Sequence, residues 1–410
     1  MPLVVQKYGG TSVATAERIK SVAARIKRRV EAGDRVVAVV SAMGDATDEL
    51  IELAHRVCEH PEPREMDVLL STGETVTSAL MVMALHALDV EAISLSGGQA
   101  GMRTSKVHRN ARILAIEPQR VREEVTRGRV VVVAGFQGIT EEMDVATIGR
   151  GGSDTTAVAF AAALHASCEI YTDVDGIYTA DPRVCPEARK LKDITYEEML
   201  ELASKGAKVM APRAVELGYI YNIPILVASS FTDEPGTLIH GGLDMEGFNR
   251  VRGIAHDIDV AKVTIRGVPD RPGIAAAIFA PLSDAHLSVD TIVQNISDHQ
   301  LTDITFTLAK NDLKAALPIV QKVCEEIGAR EVQADERMGK VSIVGTGIQS
   351  APGYAARMFD ALSQAGINIE IISTSEIRIT CIIPEDRASD AVRALHKAFE
   401  LERAEASELA

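Results

Sequence analysis

The chain has no CxxC pair. Its five cysteines (Cys58, Cys168, Cys185, Cys324, Cys381) are scattered, which argues against a zinc ribbon or a disulfide framework and fits a reducing compartment. No apolar run approaches the roughly 18–20 residues of a membrane span. No basic patch stands out in a chain of net charge −15, so neither a membrane nor a nucleic acid is an expected partner. Met1-Pro2-Leu3-Val4-Val5 carries no signal-peptide pattern and runs into a strand, so the expected location is cytoplasmic. Two phosphate patterns are missing as well. There is no GxxxxGK[ST], which excludes a P-loop, and no GxGxxG after the first strand, which weakens a dinucleotide reading.

What is present is a globular composition, 46% hydrophobic and 25% charged over 410 residues, enough for two to three domains. Residues 3–7 read as a buried strand, followed by the turn Tyr8-Gly9-Gly10-Thr11-Ser12. A helix is expected from Thr15, with Ile19, Val22, Ala23, Ile26 and Val30 on one face. The β-branched run 36–40 suits a parallel strand covered on both faces. Further strands are expected near 92–95, 130–134, 169–172 and 225–227, with helices between them. Alternating β and α implies a mostly parallel sheet between helices, with ligands beyond the carboxyl ends of its strands.

Residues 231–249 are rich in Gly, Asp and Pro and read as a linker. Beyond them an internal repeat appears. Lys262-Val263-Thr264-Ile265-Arg266-Gly267 is matched by Lys340-Val341-Ser342-Ile343-Val344-Gly345, and Pro272-Gly273 by Pro352-Gly353. Each copy reads as a ferredoxin-like βαββαβ plan. The second copy lacks a last strand, which the orphan segment 251–255 would supply, so that the first copy is inserted into the second.

Three dense segments carry the chemistry. Gly149-Arg150-Gly151-Gly152-Ser153-Asp154 opens a small apolar run, and Ser153 or Asp154 is expected to cap the helix there, near an anion. Lys7 stands before Gly9 and Gly10, a cation and backbone donors at a strand end. The stretch from Thr172-Asp173 through Tyr178 to Arg183 is acidic, but its Arg and Tyr suit a nucleotide better than a metal. Thr195 and Glu198 form a possible capping box for a helix leading to Lys205-Gly206-Ala207-Lys208.

Together with Ser41-Ala42-Met43-Gly44, these segments resemble the aspartate kinases of the amino-acid kinase superfamily, and the repeat resembles tandem ACT domains. The implied architecture is α/β. It comprises a kinase domain over 1–230 with a mostly parallel sheet between helices, a linker over 231–250, one ACT module over 262–334, and a second over 251–261 plus 335–402. The implied reaction is transfer of the ATP γ-phosphoryl group to the side-chain carboxylate of L-aspartate, giving 4-phospho-L-aspartate on the way to lysine, threonine and methionine.

Carried onto this chain, the resemblance makes Lys7 and Lys208 stabilisers of the moving phosphoryl group and Asp154 their support. Gly9 and Gly10 would offer backbone donors, and Thr172, Asp173, Tyr178 and Arg183 would hold ATP, whose Mg2+ would rest mainly on the phosphates. Arg150 would pair with the substrate α-carboxylate and Glu74 with its ammonium, beside Ser41, Thr47, Phe136 and Ser153. For Glu74 the plain alternative is an acid at a helix N-terminus. Asp270, Gly273, Gln294, Asn295, Asn368, Ser375 and Glu376 are candidate contacts for threonine or lysine, or both, at the interface between ACT modules packed side by side. A homo-oligomer, or an assembly with a short chain starting near Met245, is expected. A kinase of another small acid in the same superfamily and an inactive amino-acid sensor are the alternatives. The repeat and the wording of residues 7–12 favour aspartate, while intact Lys7, Arg150, Asp154 and Lys208 favour activity.

Overall fold

The computed structural model describes residues 2–207, 209–242, 251–295, 300–348 and 352–403; Lys208 and Met245 lie outside them. The chain divides into two bodies. The first comprises Met1–Tyr178, Lys190–Ser204 and Lys208–Glu246, and the second Thr179–Arg189, Lys205–Ala207 and Gly247–Ala410.

In the first body the order is β1 (Leu3–Tyr8), α1 (Ala16–Glu31), β2 (Arg35–Val40), α2 (Ala46–Val57), α3 (Pro63–His86), β3 (Ala92–Leu95), β4 (Met102–Thr104), β5 (Ile113–Ile116) and α4 (Gln119–Thr126). There follow β6 (Val130–Ala134), β7 (Gln137–Ile139), β8 (Val145–Thr147), α5 (Gly152–Leu164), β9 (Ser167–Thr172), β10 (Asp193–Thr195), α6 (Tyr196–Ser204), α7 (Pro212–Tyr221), β11 (Ile225–Ser229) and β12 (Thr237–His240). The large sheet runs β10-β12-β11-β9-β1-β2-β6-β3, parallel except where β11 meets β12. Its centre is made of runs buried on both faces, such as Val36 to Val40 and Val130 to Ala134, as a sheet between helices requires. Helix α1 begins where the Thr15 side chain accepts from the Arg18 N–H at 3.3 Å, and it buries Ile19, Val22, Ala23 and Ile26.

Three features depart from expectation. Residues 231–249 are not all linker: β12 closes on β11 and adds to the sheet, and the Thr237 hydroxyl donates to the Leu191 carbonyl at 2.6 Å. A small sheet, β5-β4-β7-β8, joins the body. Its strands of three or four residues are too short to show a period. It is tied to α3 by the fully buried Asp67 carboxylate, which accepts from the Thr147 hydroxyl at 2.6 Å and from the Thr147 and Arg109 N–H groups at 3.0 Å. Helix α3 is also long and apolar enough, by composition, to cross a membrane; here Met66, Leu70, Met81 and Leu85 are buried within the body.

The second body has β13 (Gly253–Pro269), α8 (Ile274–Asp284), β14 (Ile292–Gln294), β15 (Leu301–Leu308), α9 (Lys310–Ile327), β16 (Glu331–Val344), α10 (Tyr354–Gln364), β17 (Ile371–Ser375), β18 (Arg378–Pro384) and α11 (Ala388–Ala398). One sheet runs β14-β15-β13-β16-β18-β17. The long strands β13 and β16 pass through both repeats. Ile265 pairs with Val332 in the first repeat, and Ile254 pairs with Ile343 in the second, with register shifts between Asp257 and Lys262. Segment 253–257 thus lies antiparallel to 340–344, as the fourth strand of the second repeat. Each repeat has its own core, one around Phe306 and Ile265, the other around Ile343 and Met358.

Candidate active site

Strand β1 delivers Lys7 to the carboxyl end of the sheet, where its Nζ lies 2.6 Å from Asp154 Oδ1; the two side chains are 11% and 10% exposed. A buried ion pair is held only where the surrounding structure fixes both partners, since removing either strands a charge. Asp154 sits in the first turn of α5, and its other oxygen accepts from the Ala211 N–H at 3.4 Å. Neither Ser153 nor Asp154 caps that helix. The cap is Gly151, left-handed at φ 70°, and both side chains fall inside the helix, with the Asp154 carboxylate taken by Lys7. Gly151 is required here twice over, since a Cβ would come 2.3 Å from the Ala211 Cβ. Arg213, absent from the sequence-based set, fixes the same loop by donating to the Ile148 and Ala111 carbonyls, each at 3.0 Å. Nothing local in Pro212-Arg213 signals this, because its acceptors come from distant segments.

Beside β1, Gly10 opens a short 3-10 turn, Gly10–Val13, whose first N–H groups have no partner within the turn. Gly9 is not available as a donor: its N–H is taken by the Tyr171 carbonyl at 3.1 Å.

Glu74 lies in the middle of α3, not at a helix start, so its acid is not a dipole-favoured N-terminal one. Helix α3 comes close to the turn after β2 at Gly73, where a Cβ would stand 2.8 Å from that of Ala42. Glu74 Oε1 accepts from the Ala42 N–H at 3.2 Å, next to Ser41, while Oε2 is buried without a partner among the described residues. Burial raises its pKa from 4.5 to about 7. Phe136, after β6, holds φ at 68°, a strained value for an aromatic residue, with its N–H on the Thr156 hydroxyl at 3.1 Å. Ser153 is buried against Gly135, where a Cβ would lie 2.8 Å from the serine hydroxyl. Arg150 is exposed and makes no ion pair or hydrogen bond among the described residues. Thr47 is half-buried on α2.

The segment expected to hold ATP is split. Thr172 ends β9 with its hydroxyl on Asp173 at 3.0 Å, and the Tyr178 hydroxyl donates to Asp175 at 2.9 Å. Burial and that hydrogen bond push the Tyr178 phenol up to about 12. Arg183 belongs to the second body, and its guanidinium grips Asp181 at 2.8 Å, so it is already engaged by a carboxylate. The capping box is present: the Glu198 N–H donates to the Thr195 hydroxyl and the Thr195 N–H to the Glu198 carboxylate, each at 3.2 Å.

In the second body, Asp270 and Gly273 precede α8, Gln294 and Asn295 lie at β14, Ser375 and Glu376 at the end of β17, and Asn368 donates to Glu370 at 3.3 Å. Strands β14 and β17 are opposite edges of one sheet, while the seam shared by the repeats is β13 with β16. The two sets of candidate effector residues therefore do not meet within one chain.

Residues 2–229 match the amino acid kinase family, and residues 263–325 and 341–399 each match an ACT domain family. The chain is 53% identical over 405 residues to an aspartokinase of Pseudomonas aeruginosa and 52% identical over 406 residues to an aspartate kinase of Stutzerimonas stutzeri, covering 98% of both chains each time. Among solved structures it is similar to E. coli aspartokinase III in complex with aspartate and ADP (27% identity, TM-score 0.83, covering 97% of this chain and 100% of that one). It is also similar to the same E. coli enzyme in complex with lysine and aspartate (26% identity, TM-score 0.75, covering 97% and 99%). With Lys7 and Asp154 joined at the end of β1, and a doubled ferredoxin-like sheet following the kinase fold along the sequence, the chain belongs to the aspartate kinases, an amino acid kinase domain followed by two ACT domains.

Proposed function

We infer that this aspartate kinase converts L-aspartate and ATP to 4-phospho-L-aspartate through Lys7, Asp154 and Lys208, under feedback from threonine, lysine or both. The observation that carries the residue roles is the buried Lys7–Asp154 pair, 2.6 Å long, at the carboxyl end of the central strand. A carboxylate is already a nucleophile at pH 7, so no general base is needed. The barrier is the approach of one anion to another, and fixed positive charge lowers it. Lys7, held by Asp154, supplies that charge without reorganising, and Lys208 adds to it. Arg150 takes the aspartate α-carboxylate, with its fork unpaired among the described residues. The unpartnered Oε2 of Glu74 takes the ammonium. Ser41, Thr47, Phe136 and Ser153 line that pocket.

ATP lies along the β1 and β9 ends, against Gly10, Thr172, Asp173 and Tyr178. Mg2+ would ride mainly on the phosphates of the bound nucleotide. When bound, the ion would neutralise phosphate charge.

Feedback is supported by the two ACT domains and by the E. coli enzyme seen with lysine. Because β14 and β17 are open edges, a second chain, full-length or starting near Met245, would bring the two effector sets together. The reaction is cytoplasmic and opens the route to lysine, threonine and methionine. The test is ADP release measured with aspartate or glutamate, with and without threonine and lysine. Aspartate-dependent release, lowered by one or both amino acids, is expected; release indifferent to aspartate overturns the substrate, and indifference to both amino acids overturns the feedback.

A further inference from the structure

The chain leaves the first body at Ser204, the end of α6, runs through Lys205–Ala207 in the second body, and returns to the first at Lys208. Three residues of extended chain span at most about 11 Å, so a shift at Lys205 has little slack in which to be lost before Lys208.

The short segment is fastened to the second body at two points. The Lys205 ammonium lies 2.7 Å from Asp290 Oδ1, its one partner among the described residues. Gly206, at φ 124°, runs so close to β13 that a Cβ would stand 1.8 Å from the His256 carbonyl oxygen. Asp290 is itself shared: its Oδ2 accepts from the Lys340 ammonium at 2.9 Å, and Lys340 is 4.0 Å from Asp257. The Lys205 and Lys340 side chains are only 11% and 7% exposed. Burial opposes ionisation of Asp290, but the two ammonium groups outweigh it and lower its pKa from 3.8 to about 2.

Asp290 belongs to the first repeat, where its N–H donates to the Thr307 carbonyl of β15 at 2.9 Å. Lys340 lies on β16 where that strand pairs with segment 253–257 in the second repeat. One carboxylate thus ties the first repeat to the second and to the segment that enters Lys208. It stands two residues before β14, whose Gln294, with Asn295, is a candidate effector contact.

We propose that the Lys205–Asp290 pair couples the effector edge to the phosphoryl site: an amino acid held at β14 changes turnover by shifting Asp290, then Lys205, then the chain entering Lys208. This rests on the roles given to Lys208 and to the β14 edge under the proposed function. A buried ion pair adds little net stability, because desolvation offsets its attraction, so what Lys205 secures here is one fixed position. Lys205 can also be removed cleanly, since Asp290 keeps Lys340, whereas loss of Asp290 would leave the Lys205 ammonium nearly buried without a counter-charge.

The experiment compares the full chain with Lys205→Met and with Lys205→Arg, which keeps the charge. ADP release is measured with and without saturating threonine, lysine or both, and effector binding is measured by calorimetry without substrates. Lys205→Met should keep its turnover without effectors within about twofold and bind the effector as the unmodified chain does. Its turnover at saturating effector should be at least about fivefold higher, the low end of a typical coupling. Lys205→Arg should stay inhibited. Inhibition of Lys205→Met to the original depth overturns the proposal, as does a Lys205→Arg variant equally insensitive. Loss of effector binding in Lys205→Met would instead make Lys205 part of the effector site, and loss of its effector-free turnover would make it a support of the phosphoryl site; either also overturns the coupling role. An unmodified chain that neither amino acid inhibits refutes the feedback itself, an outcome that needs no variant to see.

Discussion

Glu74 offers the sharpest test, because its burial sets both a pH profile and a stability penalty. Its carboxyl has a pKa of about 7 against an ordinary 4.5, raised chiefly by burial and only partly offset by the Ala42 N–H. To hold an ammonium it must be ionised, and with a pKa of about 7 the ionised share rises from about a tenth at pH 6 to about nine-tenths at pH 8. The KM for aspartate should therefore fall about tenfold between pH 6 and pH 8, with ATP affinity far less affected. Replacing Glu74 by Gln should flatten that profile and raise the KM by about 10- to 100-fold at pH 8, the worth of a charge-assisted hydrogen bond. Stability should move the other way. A raised folded pKa means that stability is full below pH 4.5 and is lost as pH rises through about 7. At about 1.4 kcal/mol per pH unit, the loss is on the order of 3 kcal/mol by pH 8. Glu74→Gln should thus melt higher than the unmodified chain at pH 8, and the gap should shrink at pH 5. Initial-rate kinetics and thermal melts across pH 5–8 read both effects. An aspartate KM that is level from pH 6 to pH 8, or a Gln variant that keeps the original profile, refutes the role of Glu74.

Lys7→Ala and Asp154→Ala should each lose turnover by about 10²–10³ with a smaller change in either KM, since a preorganised charge acts mostly in the transition state; near-normal turnover in either variant overturns that assignment. Arg150→Lys should raise the aspartate KM by about 10- to 100-fold, because a point charge cannot reproduce a bidentate fork. A raised ATP KM instead would move Arg150 to the other substrate. A polypeptide of residues 245–410 should melt well above one starting at Val260, which lacks the 253–257 pairing and the buried Ile254 and Ala255. Burying an isoleucine is worth roughly 1.5–3 kcal/mol, so equal melting temperatures would refute the strand-completion reading.

Much of this protein was legible in its residues alone. The runs 36–40 and 130–134 are β-branched on both faces, and a chain that alternates such runs with amphipathic helices has few ways to hide them other than a parallel sheet. The repeat at 262–267 and 340–345 carried the second half, because each copy spells out its own apolar period. Lys7, Gly10 and the Gly149 loop could be picked out because strand ends and glycine turns have local signatures. Tertiary structure alone decided the rest. Lys7 meets Asp154 only because β1 and α5 are neighbours in the folded sheet, and Asp154 leaves its capping role to make that pair. Glu74 acquires its raised pKa from burial, which no local pattern in Gly73-Glu74 encodes. Arg183 reads as a nucleotide ligand in sequence, yet the segment Thr179–Arg189 packs its Ala180 and Cys185 into the second repeat and gives its guanidinium to Asp181. Periodicity reports which face of an element is buried, whereas the partner across that face depends on contacts between distant segments, and only the folded chain brings those together.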